Sequence, residues 1–234
     1  MNTLARVQTL WELFVAGGLL MWPIVAMSLV VVTFGIERSI ALRRGRFVPR
    51  GLREGIAQLG ASGGLDAARL TRLCSDHPSV AAEVLRAMLA RAGRPLPEIE
   101  RAAEVAKERE ASRLYANVRP IALAVTVTPL LGLLGTVQGM IIAFYTTATL
   151  DTSANRTAEL ARGIYVALIT TFAGLCVAIP AAVIAHWLEG RIQRGFRAVD
   201  DVVDTVLVAA GRADARARAT PERRSVDTAR ESKP

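Results

Sequence analysis

The chain is predicted to be an all-α membrane protein: three transmembrane helices with long cytoplasmic helical extensions, N-terminus out and C-terminus in. Three observations carry that prediction. Of 234 residues, 52% are hydrophobic, and mean hydropathy is +0.33. Three windows contain no charged residue: Leu13 to Ile36, Pro120 to Leu150 and Gly163 to Ala185, of 24, 31 and 23 residues. A hydrocarbon core needs about 20 apolar helical residues, so each window is long enough to cross it. Finally, the stretch after the last window repeats apolar residues every 3–4 positions, the period of a helix with one buried face.

Residues 1–37 comprise an interfacial lead-in, with Trp11 and Trp22 as belt residues, and the first span. Its apolar part exceeds the ~7–15 residues of a signal-peptide core, and no small-residue cleavage site follows. Glu37, Arg38, Arg43, Arg44 and Arg46 come next, the pattern of a retained span with a basic flank.

Residues 38–119 are predicted to form a cytoplasmic helical segment. A Gly-Ala-Ser-Gly-Gly cluster at 60–64 splits its first part into two short helices. A third helix is expected from an Asp76 cap, with Pro78 near its first turn and Val80, Val84, Leu85, Met88 and Leu89 at helical spacing. Residues 97–119 are strongly helical and are predicted to run unbroken into the second span, 120–150. A periplasmic loop is expected over 151–162. The third span and its amphipathic continuation occupy 163–211, with Ile192, Phe196, Val199, Val203, Val206 and Ala210 on one face. Residues 212–234 offer little to bury and are predicted to be disordered.

Orientation follows from the basic residues. Residues 38–119 hold 16 Lys/Arg and 189–234 hold 10, whereas the N-terminal segment has Arg6 and the 151–162 loop Arg156 and Arg162. Lys and Arg concentrate on the cytoplasmic side. The same topology accounts for the net charge of +8 without nucleic acid, because most acidic residues share those segments and no aromatic-interleaved basic patch occurs. Cys74 and Cys176 fall on different sides of the proposed membrane boundary, which argues against a disulfide. His77 and His186 have no second ligand at i+3 or i+4, so no metal site is expected. No nucleophile–base pair, phosphate loop or other catalytic constellation is visible, and neither enzyme activity nor a cofactor is predicted.

The second span is unusual for a lipid-facing helix. PLLGLLGTVQGM, residues 129–140, places glycines, a hydroxyl and an amide at its middle. On a helix, Thr128, Gly132, Gly135/Thr136 and Gly139 form one narrow stripe of small residues. The third span has a matching stripe: Gly163, Ala167, Thr170/Thr171, Gly174, Ala178, Ala181/Ala182 and Ala185. Small residues let membrane helices approach closely. Two readings stand: the stripes pack on each other, with hydroxyls bonded to their own helix, or they face a shared space as a collar for other helices. No Asp, Glu, Lys or Arg lies within any span. Ion relays through lipid normally need an ionisable group. Either no ion moves, or another polypeptide brings the carboxylate.

GLLGTVQGMI and GIYVALITTFAGLCVAIPAAVI, with the three-span layout, resemble the MotA/TolQ/ExbB proton-channel family, and the ExbB/TolQ branch more than four-span MotA. The resemblance covers roughly residues 11 to 210. It implies a homo-oligomer, a pentamer, in the bacterial inner membrane, around two copies of a single-span ExbD/TolR-like partner whose membrane Asp carries the proton. A TonB- or TolA-like protein would receive the work. By motif position, Thr136 and Thr171 would line the ion path. Thr128, Gly132, Gly135, Gly139, Gly163, Ala167, Thr170, Gly174 and Ala178 would form the partner-helix collar, and Pro180 would bend the third span. One position departs: Val166 stands where many ExbB and TolQ sequences carry Glu. Sodium coupling, or a proton path relying on the partner's Asp and Thr171, follows as an implication. The rival function is a non-conducting oligomeric membrane scaffold.

Overall fold

A computed structural model describes residues 11–12, 14–15, 17–42, 44–61, 66–149 and 153–231, and the side chains of most of these up to Arg212. Of the interfacial lead-in expected over residues 1–12, residues 1–10 lie outside the described residues. The described residues are helices and turns: α1 (Met21–Ala41), a 3-10 turn (Arg44–Arg46), α2 (Arg50–Ala61), α3 (Ala67–Asp76), α4 (Val80–Leu89), α5 (Leu96–Ala116), α6 (Arg119–Thr149) and α7 (Ser153–Glu231). Among the described residues, three segments are long and apolar enough to cross a membrane: Met21–Ala41, Arg119–Thr149 and Arg156–Arg212. The predicted all-α protein with three spans is therefore observed. The chain divides into two compact units, one of residues 1–40 and 117–189, the other of 41–116 and 190–234.

Several boundaries differ from the expected ones, each for a local reason. α1 starts eight residues later than the charge-free window. Gly18 adopts φ +69°, a left-handed conformation that a side chain resists, and its carbonyl accepts from the Met21 amide at 3.2 Å. Pro23 then sits in the first helical turn, where its missing N–H costs nothing. Trp11, Phe14 and Trp22 cluster beside this start, with ring centroids 5.7 and 5.2 Å apart.

The cap of α4 is Ser79, not Asp76: its hydroxyl accepts from the Ala82 amide at 3.2 Å. Asp76 instead ends α3, and Pro78 bars that helix from continuing. α5 and α6 are two helices rather than one, parted by a turn at Asn117–Val118. Pro120 has no N–H for the Ala116 carbonyl and its ring crowds that position. The connection between the second and third spans, expected to be a loop over 151–162, is shorter, because α7 is helical from Ser153. Its backbone also stays helical to Glu231, where disorder is predicted. The Ala, Arg and Glu that leave the tail little to bury are also strong helix formers.

In the 41–116/190–234 unit, α2 packs on α3, α3 on α4 and α4 on α5. Apolar residues of α4 and α7 fill the interior: Val84, Leu85, Ile192 and Val199 are each 0% exposed. Phe47 lies against Gly195 and Phe196, its ring 5.9 Å from that of Phe196. Lys107 Nζ meets Asp200 Oδ1 at 2.6 Å, tying α5 to α7. Cys74 is fully buried here. Burial pushes its thiol pKa up, offset in part by the Arg86 guanidinium, while Glu83 adds to the rise. The thiol is the unreactive form. In the folded protein at neutral pH, Cys74 should therefore resist a water-soluble maleimide and be labelled only on denaturation, as intact mass would read.

In the 1–40/117–189 unit, α1 contributes Met21, Ile24, Val31 and Gly35 to the interior, with Gly35 opposite Ile184. The seam between α6 and α7 forms the rest.

Candidate functional site

The two small-residue stripes meet each other. Thr128, Gly132, Gly135, Gly139 and Ala143 are buried on α6, and Ala167, Thr170, Gly174, Ala178 and Ala181 on α7. The approach is backbone to backbone. A Cβ built on Gly132 would stand 3.1 Å from the Thr170 carbonyl oxygen, and one on Gly139 3.2 Å from that of Gly163. At Gly174 the gap to the Thr128 carbonyl oxygen would be 2.8 Å. Gly135 leaves room for the Thr170 side chain, and Gly163 for Ala143. Within the chain, the expected partner-helix collar is thus a closed seam, because each stripe covers the other. Pro180 lies off it, exposed, with α7 helical on both sides.

The hydroxyls differ in what they do. Thr170 is buried, and its Oγ1 donates to the Ala167 carbonyl at 2.8 Å. Thr136 bonds back in the same way, to Leu133 at 2.6 Å. Thr171 instead crosses the seam and donates to the Gly132 carbonyl at 3.1 Å. In α-helical register that carbonyl is also the acceptor for the Thr136 amide. The Thr171 hydroxyl and the Thr136 backbone amide thus share one carbonyl, while the Thr136 hydroxyl stays on its own helix; both threonines are partly exposed at the rim of the seam.

Val166 is half-buried, five residues before Thr171 and so about 140° away around the helix. It does not share that rim. Gln138 is exposed. Along the same flank of α6, Thr136, Val137, Met140, Ile141 and Phe144 line an open apolar concavity of about 580 Å³. Sequence reasoning passed over Pro129, which lies inside α6 next to Thr128. A proline within a charge-free helix was the available signal.

This is a multi-pass α-helical membrane protein whose second and third spans hold a row of hydroxyl and carbonyl oxygens in place of charged groups. The model of the MotA/TolQ/ExbB proton channel family matches residues 76–201, more than half of the chain, and the chain belongs to that family. It is 30% identical over 200 residues to a putative biopolymer transport protein ExbB homolog of Methanothermobacter thermautotrophicus, covering 85% of this chain and 67% of that protein. Over 173 residues it is 30% identical to the biopolymer transport protein exbB1 of Vibrio cholerae, 74% and 75% of the two chains. A shorter match, 36% over 95 residues, joins it to the Tol-Pal system protein TolQ of Pseudomonas aeruginosa, 41% and 40% of the two. The chain is a membrane subunit of the proton-channel, transport-energising kind.

Proposed function

We propose that this chain is the stator and channel subunit of an ion-gradient-driven motor in the bacterial inner membrane. It would be oriented N-out and C-in, as its Lys/Arg distribution favours. The observation that carries the reading is the Thr171 hydroxyl reaching across the seam to the Gly132 carbonyl, one turn from Thr136, in charge-free windows that hold no Asp, Glu, Lys or Arg. Oxygens alone can conduct or position a hydrated ion but cannot release and rebind a proton at working pH. A carboxylate must come from elsewhere, and an ExbD/TolR-like single-span protein with a membrane Asp would supply it. With Val166 in place of a Glu, that Asp would be the principal titratable group of the path.

Because the stripes are closed on each other, partner helices would meet the seam's rim at Thr136 and Thr171 and the apolar flank of α6, not the glycines. The large apolar surface of the spans, including Leu134, Ile141, Phe144, Leu168 and Phe172, would be shared between lipid and neighbouring copies in a pentamer. TonB-type uptake and Tol-type envelope work both fit as the task driven. The same closed seam favours a second reading, a non-conducting scaffold in which the stripes only pack.

Co-expression with an Asp-bearing single-span partner, followed by native mass spectrometry of the purified complex, separates the two. Five copies holding two partners are expected. A stable oligomer that never retains a partner would turn the assignment to the scaffold.

A further inference from the structure

Pro129 cannot give an N–H to the carbonyl four residues earlier, so Val125 loses its helical donor. In membrane helices such freed carbonyls are taken up by Ser or Thr hydroxyls or by ordered water. The hydroxyl of Thr126 is bonded to Ala122, whereas Thr128 carries a hydroxyl three residues on. This is the spacing at which Thr136 and Thr170 bond back to their own helices. Thr128 makes no such bond. It is 0% exposed, and its Oγ1 has no hydrogen-bond partner among the described residues. An acceptor short of a donor and an unpaired hydroxyl therefore occupy the same turn of α6, at its closest approach to Gly174. Pro180 does the same to the Cys176 carbonyl of α7, but on an exposed face with no hydroxyl three or four residues beyond.

From this we infer that the Thr128 hydroxyl and the Val125 carbonyl together hold one water molecule in the α6–α7 seam. Such a water hydrogen-bonds Thr128 Oγ1 and donates to the Val125 carbonyl, satisfying both groups at once. Its acceptor, the Val125 carbonyl, lies seven residues and so about two helical turns from the Gly132 carbonyl, toward the Arg119 end of α6. The row of oxygens at Thr136, Gly132 and Thr171 would thereby be lengthened by a second, separate pair on the Arg119 side. That the lengthened row belongs to an ion path rests on the proposed function; the hydration itself does not.

Water-edited solid-state NMR of the full chain in lipid bilayers tests it. Water magnetisation should reach Thr128 several-fold faster than Ala124 and Ile121, which are equally buried neighbours on the same helix. The transfer should be lost at Thr128 in P129A, which returns an N–H to the Val125 carbonyl, and lost at Val125 in T128V, which removes the hydroxyl. A Thr128 as dry as Ala124 in the native chain overturns the inference, as does transfer that persists undiminished in either variant. Neither partner nor ion flux enters the measurement. A negative result leaves the channel reading standing, and a failure of that reading leaves the hydration result intact.

Discussion

Gly174→Ala is expected to destabilise the detergent-solubilised chain by about 2–3 kcal/mol, at the upper end of the usual cost of overpacking. The added methyl would stand 2.8 Å from the Thr128 carbonyl oxygen and 3.2 Å from Gly132 Cα. Neither is the end of a flexible side chain, so the two backbones must move apart. In lipid, where close packing rather than hydrophobic drive holds helices together, that separation loosens the whole α6–α7 pair. Gly35→Ala is the control. Its methyl would meet only the Ile184 side chain, at 3.5 Å, an ordinary contact. It should shift stability by less than about 0.5 kcal/mol. Thermal unfolding of both variants by circular dichroism reads the contrast, and equal shifts would show that the seam is not as close as described.

Thr171→Val should abolish partner-dependent work while leaving the fold in place. Valine keeps the β-branched shape and removes only the hydroxyl that reaches Gly132. The structural cost of one such bond is about 0.5–1.5 kcal/mol, too little to unfold the chain or disperse an oligomer. The loss at the rim is greater in kind. Its cross-helix hydroxyl is gone, and the Gly132 carbonyl faces a methyl. Thr171→Ser retains the oxygen and should retain activity. Proteoliposomes containing the chain and the proposed Asp-bearing partner, loaded with a pH or sodium indicator, would report flux for the three proteins under one gradient. Unchanged flux in Thr171→Val would remove Thr171 from the path and favour the scaffold.

How much could be read beforehand differs from element to element. Gly18 and Pro120 both move helix boundaries, and both were present to be read. A charge-free window records hydropathy, whereas a helix end records where an N–H lacks an acceptor or a φ turns positive. Asp76 and Ser79 were both acceptable caps by residue type. Pro78 between them decided for Ser79, because the helix before it had to stop. Thr136 and Thr171 could be named from their motifs, but that the Thr171 hydroxyl crosses to the Gly132 carbonyl could not.

The sequence by itself determined that this chain crosses a membrane three times, that its spans carry no charge, and that two of them each devote a face to small residues. Those are properties of single helices, set by composition and by a period of 3.6. Only the tertiary structure decided what covers those faces. A stripe of glycines is equally ready to receive a neighbour from the same chain or from another, and its pattern is identical in both cases. Gly132 against Thr171, Gly135 against Thr170 and Gly174 against Thr128 settle it for the single chain. The same packing leaves Thr128 unpaired beside the carbonyl that Pro129 frees. Which hydroxyl finds a partner depends on the distance between two backbones, and that distance is written in neither helix alone.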